Sequence, residues 1–231
     1  LWAKDPKKEI YDVNLQGTQN IVEAAVQAGV KRIVYVSSIA ALNYKQLPTK
    51  ESYGQNPDRR DMYYNSKNDG EKLAFELAKK HNIELVAVLP STMIGSESYG
   101  SLSVSYNIIN LILKKEIPVE TGITLNWIDV KDVAEGCYLA ATKGVNGERY
   151  ILANEKCTSI KDTTKIAQKL FPKKNGGRVA AFEVLLRTPA TINLIRSNRA
   201  FELKDYMHNK DMMQTMDDAI EDLQRRGFLE D

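Results

Sequence analysis

The chain has 231 residues, of which 43% are hydrophobic and 27% charged, a composition typical of a folded globular protein and not of a disordered or fibrous one. Its 32 lysine and arginine residues nearly balance 30 aspartate and glutamate residues, which gives no electrostatic reason to expect binding to nucleic acid or to an anionic membrane. The two cysteines, Cys137 and Cys157, are far apart and accompany only two histidines, which argues against a disulfide framework or a zinc site and favours a reducing cytoplasm.

The first predicted element is a helix from Ile10 to Ala28, ended by Gly29. Its apolar positions are predicted to form one buried stripe, made of Ile10, Gly17, Ile21, Ala24, Ala25 and Ala28. Asn14 falls on the same stripe. A buried amide must find hydrogen-bond partners, so Asn14 is either a structural hub or part of a polar site.

Two short apolar runs, Lys31–Val36 and Ile83–Leu89, predict strands that are covered on both faces in a parallel sheet. The first run ends in Ser37 and Ser38, and the second is followed by Pro90. Because open α/β sheets bind ligands beyond the carboxyl ends of their strands, Ser38 and the Pro90 segment are expected near one edge of the sheet. Two adjacent serines are weak evidence on their own, since serine is common where a strand becomes a loop.

Between these strands, residues 61–80 predict a helix with two faces. The polar face is predicted to hold Asn65, Asn68, Asp69, Lys72, Glu76 and Lys79, and the apolar face Gly70, Leu73, Ala74, Leu77 and Ala78.

Tyr63 and Lys67 lie one turn apart within the apolar arc of this helix, where a lysine loses hydration unless a partner or ligand compensates it. A nearby ammonium favours the phenolate over the phenol, whose free pKa is about 10, and so brings a tyrosine into the range for proton transfer. The structural alternative is a core tyrosine beside a lysine that reaches the helix edge.

Later elements continue the alternation of helices and strands. Strands are expected at 126–130 and 148–153, and a helix at 106–115. A second helix is expected at 131–142 with a cap from Asp129, and a third helix ends at Leu170 and is capped by Thr158 or Ser159. Trp127 and Tyr138 are expected to be core aromatics. After a boundary at 172–177, residues 179–231 are expected to be mostly helical.

This order of elements predicts an α/β fold with right-handed crossovers and a doubly wound parallel sheet. The sheet is expected to be incomplete, because one helix and no strand precede Lys31 and no glycine-rich phosphate loop follows any strand.

Five segments carry a family resemblance: DVNLQGTQNIVEAA, GVKRIVYVSSIAAL, YYNSK followed by Glu71, LVAVLPSTMIG, and NWIDVKDVAEGCYLAA with GERYIL. Together they resemble the extended short-chain dehydrogenase/reductases of the NAD-dependent epimerase/dehydratase superfamily, and within it the dihydroflavonol-4-reductase-like and 3β-hydroxysteroid-dehydrogenase-like reductases. Each segment is weak alone, but their order and spacing agree with the family over about residues 10–153.

The resemblance implies a Ser-Tyr-Lys active site. Ser38 would hold the substrate oxygen, Tyr63 would transfer the proton, and Lys67 would lower the tyrosine pKa and bind the nicotinamide ribose. Asn14 matches a helix asparagine near the cofactor in this family. The segment that lies against the nicotinamide is matched by Pro90, Ser91 and Met93.

The resemblance also implies an overall organisation. Residues 1–172 would form a partial NAD(P)-binding Rossmann-type domain, with some segments contributing to the substrate region, and residues 173–231 a smaller, mostly helical substrate region. The cofactor would be NADP or NAD, with NADP favoured, and no metal is implied. We also expect a small carbonyl or alcohol substrate and a cytoplasmic location. A homodimer is compatible with this expectation.

In this family the glycine-rich turn and the first strands come before the position that matches Leu1. We therefore expect the sequence to be a fragment of a longer chain, and the fragment itself to be inactive, poorly stable and without appreciable nucleotide affinity.

Residues after Ser38 separate the activities within the superfamily. Ile39 and Ala40 replace the Asp-Glu pair of sugar-nucleotide dehydratases, and residues 41–43 replace the Val-Tyr-Gly ending of epimerases, so interconversion of a carbonyl and an alcohol is the preferred function. A nucleotide-sugar epimerase or dehydratase and a non-catalytic NAD(P)-binding regulatory protein are the alternatives.

Overall fold

A computed structural model of the chain describes residues 3–43, 50–57, 59–95, 103–113, 124–154, 157–170 and 212–228. They belong to two compact units: the first contains Leu1–Ser91 and Ala134–Leu152, and the second contains Thr92–Val133 with the described residues of 153–170 and 212–228. The expected boundary at 172–177 and most of the C-terminal helical region lie outside the described residues. The division of roles between residues 1–172 and 173–231 stays a prediction.

The described residues contain six α-helices and seven strands. The helices are α1 (Val13–Gln27), α2 (Met62–Lys80), α3 (Val104–Leu113), α4 (Val130–Lys143), α5 (Ile160–Leu170) and α6 (Met212–Arg225). The strands are β1 (Arg32–Val36), β2 (Glu84–Pro90), β3 (Thr92–Ile94), β4 (Thr124–Leu125), β5 (Trp127–Asp129), β6 (Arg149–Leu152) and β7 (Thr158–Ser159). A π-helical segment, Lys7–Asp12, leads into α1, and single 3-10 turns lie at Ile39–Ala41 and Glu51–Tyr53. No helix among the described residues is both long and apolar enough to cross a bilayer.

The sheet of the first unit has the strand order β1-β2-β6, and both pairs are parallel. The register places Tyr35 level with Ala87, and Ala87 level with Arg149. A helix lies between each strand and the next of this sheet along the chain, since α2 precedes β2 and α4 precedes β6. The parallel α/β class predicted from the sequence is thus confirmed.

The prediction that both central runs are covered on both faces is right for β2 and wrong for β1. Every residue of β2 after Glu84 is buried. In contrast, β1 is half-buried, and Val36 is 47% exposed. The physical reason is that β1 lies at one side of this sheet and has a single neighbouring strand among the described residues.

Helix α1 forms as predicted, but its buried face is not the predicted stripe. Ile21 is 68% exposed, whereas Thr18 and Val22 are buried. The burial of Thr18 follows from a polar contact, because its hydroxyl lies 3.1 Å from the Tyr35 hydroxyl. A rule that ranks positions only by hydrophobicity therefore selected the wrong side of the helix.

Helix α2 buries three of its five predicted apolar positions, with Leu73 and Leu77 half-buried, and corrects two polar ones. Gly70, Ala74 and Ala78 are buried, and an added Cβ at Gly70 would lie 2.8 Å from the Tyr35 hydroxyl, so α2 and β1 meet closely there. Asn65 and Asn68, predicted on the polar face, are also buried. Their amides donate to the loop before the helix, to the carbonyls of Arg59 (2.8 Å) and Asn56 (2.7 Å) respectively.

The second unit has its own core and two small sheets. Strands β3 and β5 pair in parallel, and β4 and β7 pair antiparallel. The core is made of side chains from α3, α5, α6 and the strands, and includes Ile94, Ile109, Trp127, Met216 and Leu223.

The caps predicted for two helices are present. Asp129 accepts a hydrogen bond from the Lys131 N–H (2.8 Å) at the start of α4, and the Ser159 hydroxyl accepts one from the Asp162 N–H (3.0 Å) at the start of α5. Of the two expected core aromatics, Trp127 is 1% exposed, but Tyr138 is 67% exposed, so that expectation was wrong.

Candidate active site

The predicted site residues of the first unit gather at the carboxyl ends of β1 and β2. Ser37 and Ser38 follow β1, Pro90 is the last residue of β2, and Ser91 comes next. The ladder continues past the end of β1, since the Ser37 N–H donates to the Val88 carbonyl (2.8 Å). The shared edge predicted from the sequence is therefore present.

The two adjacent serines have different surroundings. Ser37 is buried, and its hydroxyl donates to Oε2 of Glu71 at 2.5 Å. Ser38 has an extended backbone (φ −164°, ψ 155°), so its side chain leaves the chain on the opposite side from that of Ser37. Its hydroxyl oxygen accepts the Ala40 N–H (3.2 Å), which caps the turn Ile39–Ala41 and leaves the hydroxyl proton available for donation.

Asp61 starts helix α2 and fixes the position of the tyrosine that follows. Its carboxylate accepts hydrogen bonds from the N–H groups of Tyr63 (2.8 Å) and Tyr64 (3.1 Å). The two rings meet edge to face, with centroids 6.1 Å apart. The Tyr63 side chain is half-buried, and its hydroxyl has no hydrogen-bond partner in the described part of the chain.

Lys67 lies one turn further along α2, with Nζ 5.9 Å from the centroid of the Tyr63 ring. Burial lowers the pKa of Lys67 from its ordinary value, because the ammonium is partly removed from water. Among the described residues, no carboxylate or carbonyl contacts this ammonium. The Lys67 ammonium instead lies over the Tyr63 ring. A partly desolvated cation beside a phenol with a free hydroxyl is an arrangement that can stabilise a phenolate during proton transfer.

Asn14 connects α1 to the turn of α2 that carries Tyr63. Its Nδ2 donates to the Ser66 hydroxyl at 2.8 Å, and that hydroxyl donates to the Tyr63 carbonyl at 2.8 Å. The sequence left two interpretations of Asn14, a structural hub or part of a polar site. Its hydrogen bond to Ser66 fits the structural hub. The hub lies next to the candidate site, so a role near a cofactor stays a prediction.

The three residues predicted to lie against a nicotinamide are divided between the units. Pro90 and Ser91 are buried in the first unit, and Met93 is half-buried in β3 of the second. The Ser91 hydroxyl is buried without a hydrogen-bond partner in the described part of the chain. An orphaned hydroxyl here and an ammonium without a carboxylate at Lys67 both fit a site that takes a polar ligand such as a dinucleotide.

The structure brings Ser38 and the Tyr63–Lys67 pair into neighbouring elements, because the turn Ile39–Ala41 packs against α2. Within the described residues no hydrogen bond joins the Ser38 hydroxyl to the Tyr63 phenol. The roles of these residues stay predictions.

Sequence reasoning missed a buried ion pair beneath the site. Glu71 is 1% exposed, and its Oε1 lies 2.7 Å from Nε of Arg149, whose side chain is 13% exposed. The contact is an ion pair without the geometry of a linear hydrogen bond. Burial raises the pKa of Glu71 above its ordinary value, and this effect outweighs the opposing effects of Arg149 and the Ser37 hydroxyl. One signal was available in the sequence, since Glu71 follows Lys67 by one helical turn on the buried side of α2.

Comparison with protein families decides the relationship that this geometry suggests. The NAD-dependent epimerase/dehydratase family matches residues 1–153, about two thirds of the chain. The chain belongs to this family. The resemblance drawn from the sequence is confirmed.

Relatives within the family include reductases. A putative dihydroflavonol 4-reductase from Synechocystis sp. is 37% identical over 163 residues, which are 67% of this chain and 46% of that protein. The cinnamoyl-CoA reductase CAD2 of Medicago truncatula is 29% identical over 182 residues, or 74% of this chain and 55% of that protein. The chain thus spans about half the length of these curated relatives.

Solved structures agree on the fold. The crystal structure of gox2253 has a TM-score of 0.79 at 25% identity and is matched over 100% of this chain and 77% of that one. The fold class predicted from the sequence, a Rossmann-type α/β fold, is confirmed by this likeness together with the parallel sheet.

Proposed function

We propose that the intact protein is an NAD(P)-dependent oxidoreductase that interconverts a carbonyl and an alcohol by hydride transfer. The observation that carries the proposal is the half-buried ammonium of Lys67, which faces the Tyr63 ring and has no carboxylate partner among the described residues. Burying a cation without a partner is unfavourable, so a site that keeps it there is explained best by a chemical use of the charge.

Three side chains of this chain would perform the proton chemistry, while a bound nicotinamide would exchange the hydride with the substrate carbon. In the reducing direction, Tyr63 gives its phenolic proton to the carbonyl oxygen, and in the oxidising direction it takes that proton back. Lys67 stabilises the negative charge left on the phenolic oxygen. Ser38 donates its hydroxyl proton to a hydrogen bond with the same substrate oxygen.

The proposed cofactor is NADP or NAD, with NADP favoured. Lys67 and Tyr63 would contact the ribose of the nicotinamide, with Asn14 nearby, and the nicotinamide itself would lie against the segment that contains Pro90, Ser91 and Met93. The name of the family supports an NAD-type cofactor. Support for NADP is weaker and comes from fold likeness to yeast methylglyoxal/isovaleraldehyde reductase Gre2 complexed with NADPH, which has a TM-score of 0.77 at 24% identity over 98% of this chain and 74% of that one.

The proposed substrate class is a small carbonyl compound or its alcohol. It is supported by the names of the curated relatives, which include a dihydroflavonol 4-reductase and a cinnamoyl-CoA reductase.

A cytoplasmic location is part of the proposal and is supported by the two free cysteines, Cys137 and Cys157. A homodimer is part of the proposal as well.

Substitution of Tyr63 by phenylalanine tests the proposed chemistry, because it removes only the phenolic hydroxyl. In the intact protein, Tyr63→Phe should lower kcat for NAD(P)H-dependent reduction of a carbonyl panel about a hundredfold or more, the scale of a lost general acid. The neighbouring Tyr64→Phe is a matched control and should retain kcat within about twofold, since its hydroxyl has no part in the proposed proton transfer.

Equal turnover by the wild type and Tyr63→Phe would refute the assignment of the proton donor. Turnover of nucleotide-sugars with cofactor that co-purifies would favour the epimerase alternative. Cofactor binding without hydride transfer to any carbonyl would favour a regulatory protein.

A further inference from the structure

The guanidinium of Arg149 contacts four separate groups beneath the candidate site. Its Nε pairs with Glu71 on helix α2 at 2.7 Å. Its Nη2 donates to the carbonyl of Ala41 at 3.2 Å, and its Nη1 donates to the carbonyls of Glu51 (3.1 Å) and Gly54 (3.3 Å). One largely buried side chain on β6 thus contacts helix α2 and two described segments of the chain between β1 and α2.

Ala41 closes the 3-10 turn that the Ser38 hydroxyl caps. Its carbonyl also accepts the Asn56 N–H at 3.2 Å, so two donors fix it. The position of Ser38 therefore depends on the same carbonyl that Arg149 holds.

Glu71 links this arrangement to the rest of the site. Its second carboxylate oxygen accepts the Ser37 hydroxyl, next to Ser38 in the chain. Glu71 also lies one helical turn after Lys67 and two turns after Tyr63 on α2. The pair thus joins the end of β1 to the helix that presents the proton donor.

A second carboxylate secures the same loop to β6. Glu51 is 8% exposed, and its Oε1 accepts the Ile151 N–H at 3.0 Å. Arg149 and Glu51 together hold residues 50–54 against one strand.

We infer that the Glu71–Arg149 pair is a positioning pair, which sets the location of the Ser38 hydroxyl relative to the Tyr63 phenol and the Lys67 ammonium. The inference rests on the proposed function. Neither Glu71 nor Arg149 exchanges a proton with the substrate; both act through the backbone turn and the helix that they hold. An arginine is required, because only its planar fork can reach a carboxylate and several carbonyls together, whereas a lysine places one ammonium at one point.

Replacement of Arg149 by lysine separates positioning from simple charge neutralisation. In the intact protein, Arg149→Lys keeps a cation for Glu71 but releases the carbonyls. Its kcat per folded molecule should fall about tenfold or more, since a shift of about 1 Å between reacting groups has effects of this size. The Kd for NADPH should change less than kcat does, because Arg149→Lys releases the turn next to Ser38, whereas Tyr63 and Lys67 remain on α2 with Glu71 still paired to a cation.

A matched control exists in the same sheet. Arg32 on β1 also pairs with a glutamate, Glu84, and also donates to two carbonyls, those of Ala141 and Gly144. Arg32→Lys should leave kcat and the Kd for NADPH within about twofold of the wild type, since this pair lies at the amino ends of the strands.

A second variant covers the case in which Arg149→Lys folds poorly. Ser37→Ala removes the hydroxyl that Glu71 accepts and should also lower kcat. The loss of kcat in the double variant Ser37→Ala/Arg149→Lys should be smaller than the product of the two single losses, because Ser37 and Arg149 both contact Glu71.

Hydrogen exchange gives a readout that needs no substrate. Amides of residues 39–43 and 50–56 should exchange at least about tenfold faster in Arg149→Lys than in the wild type and remain unchanged in Arg32→Lys.

Three results would overturn the inference: a kcat per folded molecule for Arg149→Lys within twofold of the wild type, losses that multiply in the double variant, or unchanged exchange of these amides. These failures differ from failure of the proposed function. If only the inference on positioning fails, Tyr63→Phe still shows the large loss of kcat. If the proposed function fails, Tyr63→Phe is as active as the wild type.

Discussion

Two arginine–glutamate pairs among the described residues of the first unit use the same chemistry in different surroundings. The Arg32–Glu84 pair has side chains that are 27% and 48% exposed, and the Arg149–Glu71 pair has side chains that are 13% and 1% exposed. Exposed pairs contribute about 0–1 kcal/mol because water screens them and solvates either partner alone. A buried pair has no such substitute, so loss of one partner leaves an uncompensated charge. Burial, and not the identity of the residues, therefore distinguishes a weak surface contact from a pair whose loss is costly.

The largest expected effect comes from removing each arginine in turn. Arg149→Met should lower the free energy of unfolding by about 3–5 kcal/mol, since it leaves Glu71 buried without its cation. Arg32→Met should lower it by about 0–1 kcal/mol. Urea denaturation of the intact protein at pH 7 measures both. Similar losses in the two variants would contradict the distinction.

An intermediate effect is expected at the glycine that precedes Glu71. Gly70→Ala places a methyl group 2.8 Å from the Tyr35 hydroxyl, so either the Tyr35 side chain or helix α2 must shift. The expected cost is about 1–3 kcal/mol, typical of overpacking.

Gly17→Ala in α1 is the control for this substitution, because an added Cβ there meets no atom within 4 Å. It should stabilise the protein by about 0.5–1 kcal/mol, the usual gain when alanine replaces glycine in a helix. Thermal unfolding would compare the two variants, and a gain at Gly70 would show that α2 is free to shift.

The smallest effect is a difference in pH dependence between two carboxylates of α2. Burial raises the pKa of Glu71, so its neutral form is favoured in the folded state, and the wild type should lose stability relative to Glu71→Gln as pH rises above 4.5 through the raised pKa. Hydrogen bonds from Arg59 lower the pKa of Asp69, so the wild type should lose stability relative to Asp69→Asn as pH falls below 3.8. Denaturation series at several pH values measure both trends. Trends of the same sign at both sites would contradict the effect of burial.

The parts of this fold that the sequence predicted are those set by local patterns. Buried strands such as β2 have continuous apolar runs, and the caps at Asp129 and Ser159 follow from short-range hydrogen bonding. The family could be inferred because its motifs keep their order along the chain. These features need little knowledge of distant contacts.

Several of the errors concern polar groups that are buried because a partner outside their own helix satisfies them. Thr18 is buried against Tyr35, and Asn65 and Asn68 are buried against the loop before α2. Glu71 was missed for the same reason, since its cation lies 78 positions later in the chain. A hydrophobicity pattern treats all of these residues as solvent-facing, and only the tertiary contacts reverse that assignment.

The half-exposed strand β1 has a practical consequence. Its second side presents backbone donors and acceptors that no strand among the described residues uses, and Val36 beside them is 47% exposed. Such a side is a template for any extended segment, including that of another molecule, and so favours the addition of a further strand.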